Sequence, residues 1–272
     1  MHYYDQHVHS KYSADSSASL SVYIRKAIRE GFSHFVVTDH IDLNYRAIGE
    51  HNICDIEKRH KEMVKLQKEY PNITLLEGIE LGYDENEIPW LKEFANNKLL
   101  DIVNLSVHIY NCESFYYKEM YKEDARKTVN FYLSLIYDAI NSGIDFDVLC
   151  HFDYAFRTAH EVDSSLKILD FREMLEKIFK CLIDKDKSLE LNVKVQKLIN
   201  DDQHVLDFLG LYKSLGGKNL TISSDAHKVS KLARKCDKYI ALAKQAGFNE
   251  VCCYIKRKKY NVGIMKMKRR YI

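Results

Sequence analysis

The 272-residue sequence predicts an α/β fold built on parallel strands. Three features of the chain predict it. Seven short apolar runs (residues 3–6, 34–37, 73–79, 101–107, 146–150, 189–192 and 220–223) lack polar alternation, the pattern of strands covered on both faces. Amphipathic stretches of helical period separate them. No Pro- or Ser-rich linker interrupts the series, so residues 1–272 are expected to form a single domain. A closed barrel and an open doubly wound sheet both satisfy this pattern. Both collect ligands at the C-terminal ends of their strands.

The helices follow in order. Residues 20–30 have Ser19 as a candidate N-cap and stop at Gly31. Residues 55–70 end before Pro71. Residues 123–141 end before Gly143 and place Ala125, Val129, Tyr132, Leu133, Ile136 and Ile140 at three- and four-residue steps. Residues 164–185, 204–215 and 229–246 complete the set. Residues 251–272 carry eight Lys or Arg and no acid. Alternation across residues 254–264 predicts a terminal hairpin with a solvated basic edge. A tail of this charge also suits nucleic acid or acidic lipid. The hairpin reading makes nucleic acid an unlooked-for partner.

Composition narrows the class. With 46% hydrophobic and 29% charged residues, the chain has material for a large core, which excludes disordered, collagenous and low-complexity proteins. No apolar stretch approaches the ~18–20 residues of a membrane span. Residues 1–5 lack a basic region followed by an apolar one, so no signal peptide is read and a cytoplasmic protein is expected. Net charge is only +2. Seven cysteines without a CxxC pair exclude a disulfide framework and a cysteine zinc site. Cys150 reads as core, and adjacent Cys252 and Cys253 as opposite faces of one strand.

The strand ends repeat one chemistry. His7-Val8-His9 follows the first run, with Asp15 six residues on; the second ends Thr38-Asp39-His40, the third at Glu80, the fourth at His108. The fifth ends at His151 and the seventh at Asp225-Ala226-His227. Six of the 12 histidines fall at these places; His2, His34, His51, His60, His160 and His204 read as ordinary polar positions. A lone strand-end His is usually a satisfied polar residue. A buried cluster of this size needs a partner for all of it, and metal ions supply one. Alternation aims His7 and His9 to one side, and Asp225-x-His227 repeats the device. The Glu80 carboxylate can bridge two ions. Nitrogen and oxygen donors without Cys suit two to three divalent Zn, Mn or Fe ions.

In their order, these motifs resemble the PHP (polymerase and histidinol phosphatase) superfamily over essentially the whole chain. The resemblance implies a distorted (β/α)7 TIM-like barrel and a trinuclear metal site, which favours the barrel over the open sheet. His7-Val8-His9-Ser10 with Ala14-Asp15-Ser16, Phe115-Tyr116 and His151–Arg157 are similar to the histidinol-phosphatase branch. The exonuclease-like branch has SDG and TDHDT where this chain has Ala14-Asp15-Ser16 and Thr38-Asp39-His40-Ile41-Asp42. Many members have His where this chain has Asp15, which adds negative charge at the third ion. Carried over residue by residue, the resemblance implies His7, His9, Glu80 and Asp225 at one ion, Glu80, His108 and His151 at a second, and Asp15, His40 and His227 at a third. Glu80, Asp225 and His227 form the implied catalytic centre. Arg157 is the implied phosphate ligand, and Tyr116 the residue closing over substrate.

The implied reaction is hydrolysis of L-histidinol phosphate, a small-molecule substrate of histidine biosynthesis, by attack of a metal-bridging hydroxide. One rival is another phosphoesterase of the superfamily acting on a nucleotide or small phosphate ester. A second is a non-catalytic metal- or nucleic-acid-binding module, which has no need of all nine ligands. No motif encodes an oligomeric state.

Overall fold

The computed structural model describes residues 5–43 and 51–264. Along the chain run α1 (Leu20–Arg29), β1 (His34–Leu43), β2 (His51–Ile53), α2 (Ile56–Glu69), β3 (Thr74–Gly82), α3 (Ile88–Ala95) and β4 (Ile102–Ser106). A small hairpin, β5 (Ile109–Tyr110) and β6 (Glu113–Ser114), precedes α4 (Ala125–Asn141), β7 (Val148–Leu149), α5 (Tyr154–Val162), α6 (Arg172–Asp184) and β8 (Ser188–Asn192). Then come α7 (Val193–Ile199), α8 (Asp202–Ser214), β9 (Leu220–Ser223), α9 (Cys236–Gln245) and a terminal hairpin, β10 (Glu250–Ile255) and β11 (Lys258–Gly263).

The main sheet has the order β2-β1-β3-β4-β7-β8-β9, parallel except for β2 at its edge. Residues 5–9 join its two ends. Val8 forms a parallel bridge with Ala226 just past β9, and its carbonyl accepts from Thr38 N of β1 at 2.8 Å. His9 N donates to Ala226 O at 2.9 Å, and Ser224 N to the Asp5 carboxylate at 2.9 Å. The curled sheet thereby closes as a distorted barrel, as the motif resemblance implies, and the open sheet is ruled out.

Strand alternation divides the barrel interior by height. Val36, Thr38, His40 and Asp42 share one face of β1, and Leu76, Gly78, Glu80 and Gly82 share one face of β3. The register pairs Val36 with Leu76 and His40 with Glu80. Val36, Leu76, Ile102, Val148 and Cys150 form an apolar floor, so Cys150 is core as its strand context suggests. The donors lie above it. The larger apolar core lies between sheet and helices, around residues such as Tyr23, Phe35, Leu105, Phe179 and Phe208.

The basic C-terminal segment seals that floor. Cys252 and Tyr254 join the floor cluster. Tyr254 N donates to Gln6 Oε1 at 2.8 Å, and the Tyr254 hydroxyl sits 2.8 Å from Ser188 Oγ and donates to Asp147 O at 3.1 Å. At the turn, Arg257 Nε donates to Asp147 Oδ2 at 2.6 Å, while its other nitrogens donate to Ala95 O and Asp145 O at 2.8 and 2.7 Å. The expected hairpin is present but starts earlier, at Glu250, and its edge is not simply solvated. Arg257 and Lys259 meet the acids Asp145, Asp147 and Asp186 at the barrel base, and the Lys256 backbone N–H donates to the Asp101 carboxylate at 2.8 Å. Lys266, Lys268, Arg269 and Arg270 lie outside the described residues, as do Tyr3 and Tyr4 of the predicted first strand.

Other expectations need correction. Asp5 and Gln6 are not strand; one bridge at Val8 suffices, because this segment is held mainly by side chains. β1 and β3 run past the predicted ends, so His40 and Glu80 lie inside strands rather than after them. Ser19 occupies the N-cap of α1 but its hydroxyl pairs with Ser21 Oγ at 3.0 Å instead of capping. Gly31, at φ 77°, ends that helix as expected. Asp55 caps α2, accepting from Lys58 N. The predicted helix over 164–185 splits into a 3-10 turn (Ile168–Phe171) and α6. The one over 229–246 shrinks to α9, because Ala233 and Lys235 take left-handed φ values of 52° and 66°. The helices α3, α5 and α7 escape the periodicity because each has fewer than ten residues.

Arg257→Ala should leave the barrel floor under-tied. Loss of its charge-assisted bonds should cost about 1.5–3 kcal/mol of stability, read as a lower urea midpoint at unchanged m-value.

Candidate metal centre

All nine predicted donors meet at the C-terminal mouth of the barrel. Glu80 is its centre. Its Oε2 lies 3.2 Å from His7 Nε2, 3.3 Å from His9 Nε2 and 3.0 Å from His40 Nδ1. Its Oε1 lies 2.6 Å from His151 Nε2 and 3.1 Å from His108 Nε2. The two oxygens therefore face different imidazole sets, the geometry a bridging carboxylate requires. Asp225 Oδ1 stands 3.4 Å from His9 Nε2 and 3.3 Å from His227 Nδ1, and Asp15 Oδ2 stands 2.8 Å from His227 Nε2 and 3.6 Å from His40 Nε2. The His9 ring lies between those of His40 and His227, at 4.1 and 4.0 Å. The implied three sets thus interleave, with His9 close to two of them. Asp225 adopts a left-handed φ of 49°, an uncommon state that turns its carboxylate into the mouth.

A further layer orients the imidazoles. His7 Nδ1 is 2.8 Å from Glu190 Oε1, and His108 Nδ1 is 2.9 Å from Asp42 Oδ1. Ser13 Oγ lies 3.2 Å from His9 Nδ1 and donates to Asp39 Oδ1 at 2.8 Å. Asp39 is itself bound by Ser10 and by the fully buried Arg59 at 3.1 Å. Such partners fix the ring orientation of a metal-binding His. A Cβ at Gly82 would collide with the Asp42 carboxylate, so only glycine leaves Asp42 on His108.

Asp42, Glu190, Ser13 and Asp39 were not singled out in the sequence. Strand parity could have found two of them: Asp42 shares the inward face with His40, and Glu190 is a carboxylate inside an apolar parallel strand. Lys194, 3.2 Å from Asp225 Oδ1, follows β8 with no motif to mark it. Among the histidines read as ordinary, His204 pairs with Asp153 at 2.9 Å and His60 with Glu77 at 2.7 Å, both away from the cluster.

The electrostatics call for cations. Burial alone would raise the Glu80 carboxyl, yet His7, His108 and His40 outweigh it and hold it well below the usual range. Burial disfavours a charged His7, yet Glu80 and Glu190 raise it well above the ordinary imidazole value. His108 is likewise raised, against burial, to about 10 by Asp42 and Glu80. His9, by contrast, is pushed well down by burial and by the neighbouring His227 and His40. Several donor atoms face one another without hydrogen-bond alignment: His40 Nδ1 and His227 Nε2 have no hydrogen-bond partner among the described residues, although carboxylate oxygens stand 3.0 and 2.8 Å away. Between them lies a cavity of about 60 Å³, lined by Asp15, His40, Glu80, His108, His151, Asp225 and His227 among others. Donor chemistry, orphaned nitrogens and space all fit divalent metal ions.

Arg157 lies behind this mouth, on α5. It is buried, its guanidinium sits 3.9 Å above the Tyr154 ring and 5.0 Å from that of Tyr116, and one of its terminal nitrogens has no hydrogen-bond partner among the described residues. Tyr154 in turn lies 5.3 Å from the His108 ring and 5.2 Å from that of His151. Tyr116 is largely exposed, at 57%.

A parallel barrel with histidines and carboxylates gathered at its mouth defines a metal-dependent barrel enzyme. The sequence profile of the PHP domain matches residues 5–194, and the chain belongs to that family. It is 29% identical over 257 residues to the histidinol-phosphatase of Lactococcus lactis, covering 92% of this chain and 93% of that protein. A crystal structure of histidinol phosphate phosphatase from Lactococcus lactis, complexed with zinc, L-histidinol and phosphate, superposes with a TM-score of 0.84 at 27% identity, covering 94% of this chain and 98% of that one. A solved structure from Listeria monocytogenes (TM-score 0.74, 17% identity, 86% and 99% covered) adds support for the fold alone.

Removing either support of His108 should loosen metal. Asp42→Asn and Gly82→Ala should each lower metal affinity by about 10–100-fold, read by competition with a chromophoric chelator. Unchanged affinity in both would make Asp42 a bystander.

Proposed function

We propose that this chain hydrolyses L-histidinol phosphate to L-histidinol and phosphate. The observation that carries the reading is Arg157: a buried guanidinium that, among the described residues, has an unused donor and no carboxylate partner, one tyrosine ring away from the donor cluster. A cation kept apart from acids beside a metal centre suits a phosphate ester, whose oxygens match the guanidinium fork. The named activity of the Lactococcus lactis relative supports the same substrate. So does an acidic recess of about 120 Å³ beside His108, lined by Asp42, Asp84 and Glu85, which suits the ammonium of an amino alcohol.

His7, His9, Glu80 and Asp225 would hold one ion, Glu80, His108 and His151 a second, and Asp15, His40 and His227 a third; two to three Zn, Mn or Fe ions fit these donors. When bound, the ions neutralise phosphate oxygens and acidify the attacking water toward neutral pH. The protein does the rest. Arg157 fixes one face of the phosphate, held flat by Tyr154, and Tyr116 covers it from solvent. Lys194 adds a second positive charge at the Asp225 edge of the mouth. Glu190, Asp42 and Ser13 hold the imidazoles at fixed angles, so charge that builds on the phosphate meets preorganised partners. Glu80, Asp225 and His227 carry the catalytic centre by holding the ions in place.

The reading treats residues 1–272 as one domain working in the cytoplasm. The seven cysteines are all unpaired, which suits a reducing compartment, and among the described residues no helix is long and apolar enough to cross a membrane.

Steady-state kinetics on L-histidinol phosphate, with metal analysis of the same sample, tests the reading. Turnover should vanish on chelation, and a panel of other phosphate esters should react far more slowly; a nucleotide preferred over histidinol phosphate would sink the assignment. Arg157→Ala should lower kcat/KM roughly ten- to a hundred-fold, weaken phosphate inhibition in parallel and leave metal content unchanged, with only partial recovery in Arg157→Lys. Asp15→His should keep activity with an altered metal preference, and Asp15→Ala should be the worse variant. Indifference to both would make Asp15 an ordinary loop residue.

A further inference from the structure

Beyond His227 the mouth opens into a groove whose far side, past Lys194, Asp225 and His227, the proposed reaction leaves unused. It holds about 310 Å³ between α7 and residues 224–235. Six cations line it: Lys194, Lys197, Lys228, Lys231, Arg234 and Lys235. Among the described residues Asp225 is the sole carboxylate in the lining, and it is engaged by Lys194 at 3.2 Å. The other five cations have no acidic partner among the described residues. Arg234 and Lys197, with help from Lys228 and Lys235, press the Lys231 ammonium below its ordinary value.

Unpaired surface lysines are common, and their ordinary reading is a solvated face. Three features distinguish this set. The cations line a concavity rather than a convex face. The concavity is continuous with the metal centre through Asp225 and His227. The backbone that presents Arg234 and Lys235 is held in left-handed turns at Ala233 and Lys235, and Ala233 N is tied to the Asp5 carboxylate at 3.2 Å. Repulsion and strain of this kind persist where the surroundings enforce them, and an anion relieves the first. Apart from the His227 imidazole, which packs against the His9 ring in the donor cluster, the described lining holds no aromatic ring; Val193 and Leu198 supply its apolar surface. Single-stranded nucleic acid is held by stacking on aromatic side chains as well as by charge, so the groove fits a dense anion without bases.

We infer that this groove binds a condensed phosphate chain, a linear polyphosphate anion, whose end reaches Lys194 and so competes with the phosphate ester at the mouth. The inference stands on the groove's own residues and does not require histidinol phosphate to be the substrate.

Calorimetric titration of the metal-loaded full chain with inorganic tripolyphosphate and with orthophosphate tests it, with metal content measured after each titration. Tripolyphosphate should bind at least about tenfold more tightly than orthophosphate, and added salt should weaken it. In the triple variant Lys197→Gln, Lys231→Gln, Arg234→Gln that affinity should fall by about tenfold, while metal content and turnover of a phosphate monoester stay unchanged. Should the triple variant lose metal or fail to fold, Lys197→Gln and Lys231→Gln alone should each weaken binding by about two- to threefold. Three results would overturn the inference. One is equal affinity in wild type and variants. Another is equal metal loss from both proteins, which would make tripolyphosphate a chelator only. The third is tighter binding of a single-stranded oligonucleotide of matched charge.

Discussion

Five carboxylates, those of Asp15, Asp42, Glu80, Glu190 and Asp225, meet six imidazoles at one end of the barrel, and most of them are shut away from water. Uncompensated charge in such a place costs several kcal/mol per ion after relaxation. The cluster therefore persists through mutual pairing and through cations. Much else in the molecule serves that balance. Arg59, wholly buried on α2, neutralises Asp39, and Asp39 holds the Ser13 hydroxyl against His9. Asn192 donates to both Glu190 and Asp225, and Ser223 donates to Glu190. A change three bonds from an imidazole is thus felt at the metal site.

The sheet register turns this chemistry into geometry. With His40 opposite Glu80, and Val36 opposite Leu76 four residues below, one strand pair supplies both the dry floor and the donors above it. The charged mouth has two unlike sides. Near His108 the lining is acidic, through Asp42, Asp84 and Glu85; beyond His227 it is basic, through Lys194 and its neighbours. A substrate with a cation at one end and a phosphate at the other meets a field that already has a direction.

Much of this was legible in the sequence, for reasons that differ by residue. The nine donors were visible because His, Asp and Glu at the ends of apolar runs break the expected pattern, and parallel strands were visible as runs without alternation. The closing segment was only half legible: His7-Val8-His9 announced its chemistry, but one bridge at Val8 leaves no strand pattern to read. Asp42 and Glu190 were obscured because their value comes from partners far along the chain, His108 and His7. The basic tail misled in the same way. Arg257 looks like free surface charge until the fold brings Asp145 and Asp147 beneath it.

Gln6 and Tyr254 hydrogen-bond across 248 positions of sequence, and His7 and His9 find Asp225 and His227 only once the barrel has closed around them. During synthesis the first imidazoles emerge long before their partners, and the floor is sealed only once the β10–β11 hairpin is added. Contacts of such separation form late, since their loop-closure entropy must be met first. Until they form, the sheet keeps an open edge and the mouth stays unassembled. A full donor set accordingly exists only once residues 7–9 have met residues 225–227, so the metal centre depends on closure of the barrel and not on any one strand.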